Sequence, residues 1–468
     1  MQRIFLLTLI SSFLIGCDQD SVSNAETHLS GEIINPVWDY VTLSQNGQTV
    51  DTIYLDERNR FSYTFKTDAS LGLFNFRHRE RQLLHLEKGD SLLLRVNTIE
   101  FDESLSFSGK GAERSNFLVE MYLDWERENE GFTKNYQKQP AEFQLLLDSL
   151  QNVRNRTLTQ FFTKYDVSPA FQEIATAAVR LDNYQRKESY PFSHYGRDKL
   201  GFIKDLPEGF YSFRESIDLN NTKVSELYAY QRYLNALIDH QTFLTYGDKE
   251  PYNTLSVTHN YNEIKVIDKH ITNTTIKDNQ LLRTARIFLA NSNDKKGVEE
   301  IFTLVHENIS NPRFKQSAEY LFADHKKMEA GNKIPDLLLI QPSPERKVTL
   351  SSRLNKPTVI YFWSYNNQMH MENSHKKVAE YSSKYPEFSF LGININEDNE
   401  LWQRHLKKHP FASANEYRFD NARDGRRQLL INQLSKTIVV DKNGTIVNSH
   451  SNLHRATFEN ELLAYLNQ

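Results

Sequence analysis

The sequence holds one cysteine, Cys17, among 468 residues. One thiol closes no intramolecular disulfide and builds no cysteine-based metal centre. It also excludes thiol–disulfide exchange within the chain, which needs two thiols a few ångströms apart. Other signatures are missing too. The sequence has no phosphate-cradling Gly-x-x-x-x-Gly-Lys-Ser/Thr, no His-Glu-x-x-His and no Gly-x-Ser-x-Gly. No basic block interleaves with aromatic residues, and the formal net charge is only −4, so nucleic acid is disfavoured as a partner. No repeat recurs at solenoid periods. What is present is core material: 39% hydrophobic residues, with 29 Phe and 23 Tyr. At this length about three domains are expected.

The position of Cys17 gives it a role. Met1-Gln2-Arg3 is a short positive start, and Ile4 to Ile15 is an apolar run too short to span a bilayer. The run ends in Leu14-Ile15-Gly16-Cys17, which resembles the bacterial lipobox. That resemblance implies cleavage before Cys17 and attachment of lipid to it. Residues 1–16 are therefore expected to be a lipoprotein signal peptide and 17–26 an acidic tether. Asp18-Gln19-Asp20 is similar to the acidic export signal of Bacteroidota surface lipoproteins. The expected location is the cell envelope, anchored by lipid at the outer membrane and facing the periplasm.

Residues 27–110 read as short strands rich in β-branched and aromatic residues, from His28 to Ile34 through to Leu105 to Ser108. Asn46-Gly47 signals a hairpin, because both residues tolerate positive φ. An antiparallel β-sandwich is expected. From 111 to 330 the period changes to helical. Helices are expected at Glu113 to Glu130, Pro140 to Tyr165, Pro169 to Lys187, Lys223 to Tyr246, Gln280 to Ala290 and Pro312 to Met328, with Ser189 to Pro207 and Thr245 to Thr258 as loops. Tyr228, Tyr230 and Tyr233 are expected in the helical core. From 331 to 468 strand and helix alternate, as in an α/β layer fold. Thr358 to Trp363 is a continuous apolar strand, Met371 to Lys384 a helix, and Asp441-Lys442-Asn443-Gly444 the turn of a closing hairpin.

That order, with Phe362-Trp363 ahead of a helix, resembles the thioredoxin-like, TlpA-type family. The pieces Ser30-Gly31-Glu32-Ile33, Val50-Asp51-Thr52-Ile53 and Leu86-Glu87-Lys88-Gly89-Asp90-Ser91 resemble the N-terminal β-domain, of unknown function, on Bacteroidota lipoproteins of that kind. The resemblance implies a redox pair three residues apart and a cis-proline before the penultimate strand. Here Asn367 and His370 stand at the thiol positions, and Ser435 or Lys436 at the proline. Neither an amide nor an imidazole exchanges disulfides. Asn367 suits a helix N-cap instead.

The resemblance also implies a peptide-binding groove beside the lost redox site. Trp363, Tyr365, Asn366 and Met369 are the residues expected to line it. The first reading is a redox-inactive binding module for an envelope protein, peptide or ligand, with no cofactor. A second is an oxidoreductase-family protein of envelope redox homeostasis. A third is a copper-binding variant, in which Met369, His370, Met371 and His375 converge as soft ligands. Asp51-Thr52-Ile53, Asp90-Ser91-Leu92 and Asp148-Ser149-Leu150 are similar to the O-glycosylation triplet of Bacteroidota.

Overall fold

The computed structural model describes residues 26–66, 71–78, 80–194, 199–246, 253–342, 345–409 and 415–467. The expected signal peptide, Cys17 and the tether up to residue 25 lie outside the described residues. The chain divides into two compact units, residues 1–183 with 223–231, and residues 184–222 with 232–468.

In the first unit, eight strands follow the expected order. They are β1 (Thr27–Ile34), β2 (Tyr40–Gln45), β3 (Gln48–Tyr54), β4 (Arg60–Phe65), β5 (Gly72–His78), β6 (Glu80–Leu86), β7 (Ser91–Asn97) and β8 (Ser106–Lys110), with the short helix α1 (Phe101–Ser104) before the last. They form two four-stranded sheets, β4-β1-β7-β8 and β3-β2-β5-β6. The β2–β3 turn places Asn46 and Gly47 at φ 51° and 72°. Among the described residues of these sheets all pairings are antiparallel but one: β7 lies parallel to β1, matching Leu29 with Leu92 and Ile33 with Val96. The long connection through the second sheet brings the chain back in the direction of β1, which a hairpin cannot do. Leu29, Ile33, Val41, Leu43, Phe74, Leu84 and Leu94 share one core.

Helices α2 (Ala112–Asn129) and α3 (Pro140–Lys164), the latter with Pro140 at its first turn, match expectation closely. The helix α4 (Pro169–Ser193) runs past Lys187 into the stretch expected to be loop, and α5 (Lys199–Lys204) lies in the same stretch. Tyr190 explains the extension, because its ring is fully buried against Phe202 and Phe210. After α6 (Tyr228–Leu244), which starts in the first unit and continues into the second, come α7 (Val257–His270), α8 (Thr274–Asn291), α9 (Lys295–Asn308) and α10 (Pro312–Lys327). Tyr230 and Tyr233 are fully buried.

The sequence reading lacks α7 and α9. Gly297 in the first turn of α9 argues against helix, at a cost of about 1 kcal/mol. A Cβ there would come within 2.3 Å of Val257 Cγ2, so the glycine lets the start of α9 close on the start of α7. Ser256, Asn273, Asp294 and Asn311 cap α7 to α10 through their side-chain oxygens.

The remaining strands are β9 (Leu338–Pro342), β10 (Glu345–Thr349), β11 (Thr358–Trp363), β12 (Ser389–Asn394), β13 (Glu416–Phe419), β14 (Thr437–Val440) and β15 (Ile446–Ser451). They build one sheet in the order β10-β9-β13-β12-β11-β14-β15, with β11, β12 and β13 parallel. Every residue of β11 is buried, as both faces of the sheet are covered. Val359, Tyr361 and Trp363 face a core shared with α11 (Gln368–Lys384), α12 (Asn399–Lys408) and α14 (Phe458–Leu466). Ile360 and Phe362 face the other core, with α13 (Ala422–Gln428). Ala290 of α8, Leu321 of α10 and Met328 after it complete that second core. No helix among the described residues is long and apolar enough to cross a membrane.

Candidate functional site: a capped helix start above a buried carboxylate

The strand β11 delivers the chain to Ser364, where it turns into α11. The turn is held locally. Asn366 N donates to Ser364 Oγ (3.1 Å), Asn367 N to Ser364 O (3.2 Å), and Tyr365 N to Asn396 Oδ1 (3.2 Å). The Asn367 side chain then accepts from His370 N at 3.0 Å and serves as the N-cap. The polar atom at the first thiol position is thus spent on the helix. Asn366, Asn367 and Gln368 are exposed, and Met369 is 75% exposed.

The expected surface set is corrected on two members. Trp363 is fully buried and Tyr365 nearly so, with the Tyr365 ring stacked on His405 at 5.3 Å. The alternation of β11 turns Trp363 into the core. Its indole Nε1 donates to Glu416 Oε2 at 2.8 Å.

Glu416 is the hub beneath the turn. It is buried on β13 and also accepts from Tyr361 OH at 2.5 Å. His375 Nε2 lies 3.2 Å from Oε1, and His375 Nδ1 lies 2.7 Å from the carbonyl of Met371. A carbonyl only accepts, so that Nδ1 carries a hydrogen. The strand register explains the geometry: Tyr361 is level with Gly392, and Gly392 with Glu416. A Cβ on Gly392 would meet the Glu416 carboxylate at 2.5–2.7 Å. The empty slot over Gly392 lets Glu416 reach under β12 to β11.

The expected soft-ligand cluster does not assemble. Met369 points to solvent while Met371 is fully buried, because residues two apart on a helix lie on nearly opposite sides. His375 is engaged with Glu416 and Met371. His370 instead neighbours His454, with ring centroids 5.2 Å apart. Burial first, then His454 and His375, lower the His370 pKa to about 4. Among the described residues no three of His, Cys, Asp and Glu converge as metal ligands.

Across the sheet, Ser435 is half-buried and Lys436 is buried directly before β14. The Lys436 ammonium donates to Leu430 O (3.1 Å) and Ala290 O (3.4 Å). Burial lowers its pKa to about 7. Glu416, Gly392 and His454 carry no signal in the sequence alone. A lone carboxylate in Glu416-Tyr417-Arg418-Phe419 carries no spacing signal, and His454 meets His370 only through the fold.

The model of the family described as thioredoxin-like matches residues 355–446. Solved structures similar to this chain include the thioredoxin domain of a thiol-disulfide oxidoreductase from Bacteroides vulgatus. It shares 17% identity over 30% of this chain and 98% of its own, with a TM-score of 0.26. A thiol-disulfide oxidoreductase from Bacteroides fragilis shares 18% identity over 29% and 99%, with a TM-score of 0.25. A thiol:disulfide interchange protein from a Bacteroides species shares 17% over 30% and 93%, with a TM-score of 0.25. No curated protein matches the chain. The C-terminal part is therefore a thioredoxin-like domain, and its matched segment contains no cysteine.

Proposed function

We propose that this chain is a lipid-anchored protein of the cell envelope, held at the outer membrane through Cys17 and facing the periplasm. Its thioredoxin-like domain performs no thiol chemistry and binds an envelope protein, peptide or ligand. The observation that carries this reading is the Asn367 cap. The site keeps the strand, turn and helix of a redox domain, yet its polar atoms hold the backbone and Asn366 to Met369 lie open to solvent.

Two measurements test it. The mature protein should show no insulin reduction above buffer, and turnover would overturn the redox-inactive reading. Capture of envelope components should depend on the exposed tip. Asn366→Lys and Met369→Lys leave the core untouched and should abolish it, and capture unchanged in both would overturn the binding reading.

A further inference from the structure

The helix start carries a second chemistry that its sequence neighbours do not reveal. His370 lies in the first turn of α11, and His454 in the segment between β15 and α14. The fold sets their rings 5.2 Å apart at an interplanar angle of 58°. Both converge on one atom. Ser374 Oγ is 3.1 Å from His454 Nε2, and 3.4 Å and 3.5 Å from the two nitrogens of His370. A hydroxyl has a single hydrogen to donate, so it serves one of these nitrogens at a time. Ser374 itself is fully buried, His370 partly buried and His454 exposed. The pair therefore opens to solvent on one side and is backed by protein on the other.

We propose that His370 and His454 together hold a divalent first-row transition-metal ion. Imidazole nitrogens bind such ions at about 2.0–2.1 Å, so two nitrogens drawn to within about 4 Å of one another share one ion. Imidazole ligands suit zinc, nickel and copper, and copper(II) binds tightest of the three. Two protein ligands leave the remaining coordination positions to water or to a group from outside the chain, so the ion exchanges. The positive end of α11 and Lys377, which faces His454, oppose the added charge and keep the site weaker than a three-ligand one. This ligand pair excludes Met371 and His375, which the core has already engaged. The proposal does not depend on the binding-module reading.

The test uses the untagged mature protein titrated with copper(II) and with zinc against a chromophoric chelator. One exchangeable equivalent is expected. It should be lost in His370→Ala and in His454→Ala, and kept in His405→Ala, which removes one member of the other histidine pair, on α12. Copper(II) resonance should show two coordinated imidazole nitrogens in the wild type. In the unsubstituted protein, zinc should also protect His454 from acylation by diethyl pyrocarbonate, read by mass spectrometry. Uptake that survives both substitutions, no uptake at all, or unprotected His454 would each overturn the site.

Discussion

Nε2 of His375 lies 3.2 Å from Oε1 of Glu416, although 41 residues of chain separate them. The contact exists because Gly392, level with Glu416 on the intervening strand, contributes no side chain. It ties the base of α11 to the sheet directly beneath the exposed turn.

Removing the carboxylate tests this coupling. Glu416→Ala leaves Tyr361 OH and Trp363 Nε1 without their common acceptor and removes the carboxylate beside His375 Nε2. Each buried donor left unsatisfied costs about 1–3 kcal/mol. Gly392→Ala should also destabilise, since its methyl group would strike the carboxylate. With Glu416 already replaced by alanine, the same change should be far cheaper. A thermal or denaturant double-mutant cycle should show strong non-additivity, and simple additivity would separate the two residues.

The first unit predicts an acid limit. Arg114 Nε donates to His85 Nδ1 at 3.2 Å, which requires that nitrogen to be free of a proton. Burial, then the Arg114 charge, lower the His85 pKa to about 3. The unfolded imidazole titrates near 6.5, so between those values the unfolded state binds the extra proton. Stability is complete above pH 6.5 and falls as pH drops toward 3, by at most about 1.4 kcal/mol per unit from this group. His85→Gln should flatten that slope relative to wild type in urea melts across the window.

Lys436 gives the opposite end of the scale. Its folded pKa of about 7 lies below the 10.5 of a free lysine. Between these values the unfolded chain binds the proton more readily, so wild-type stability should climb from pH 7 to 10.5. Lys436→Met removes the titrating group while keeping an apolar stem of similar length. Its stability curve should lose that rise. An unchanged slope would mean that the ammonium reaches water.

What the sequence reveals and what it hides follow from the range of the interactions. The strands β1 to β8 and β11 are legible because each carries its own alternation or apolar run. The Asn367 cap is legible because a cap is local. The helix α9 is hidden by a glycine whose purpose is a contact with the start of α7. Trp363 and Tyr365 look like surface aromatics until the pleat of β11 and the ring of His405 claim them. Glu416 and His454 are invisible for the same reason: each acts on a partner reached only across the sheet or the helix start.

The second face of the sheet leads to the last prediction. Ile360, Phe362, Leu391, Ile393 and Ile438 pack in one core with Ala290, Leu321 and Met328, which belong to the helical part. Polar ties run the same way: Ser449 Oγ donates to Met328 O at 2.6 Å, Gln433 Nε2 to Asn291 Oδ1 at 2.8 Å, and Lys436 to Ala290 O. A fragment of residues 331–468 keeps all strands of this sheet, β9 to β15, and loses this cover. It should expose an apolar face, bind a hydrophobic dye, self-associate and melt well below the full chain. A fragment of residues 274–468 restores α8, α9 and α10, and with them Ala290, Leu321 and Met328, so it should recover most of the lost stability. If the shorter fragment is monomeric and as stable as the longer one, the helices do not form part of this core in solution.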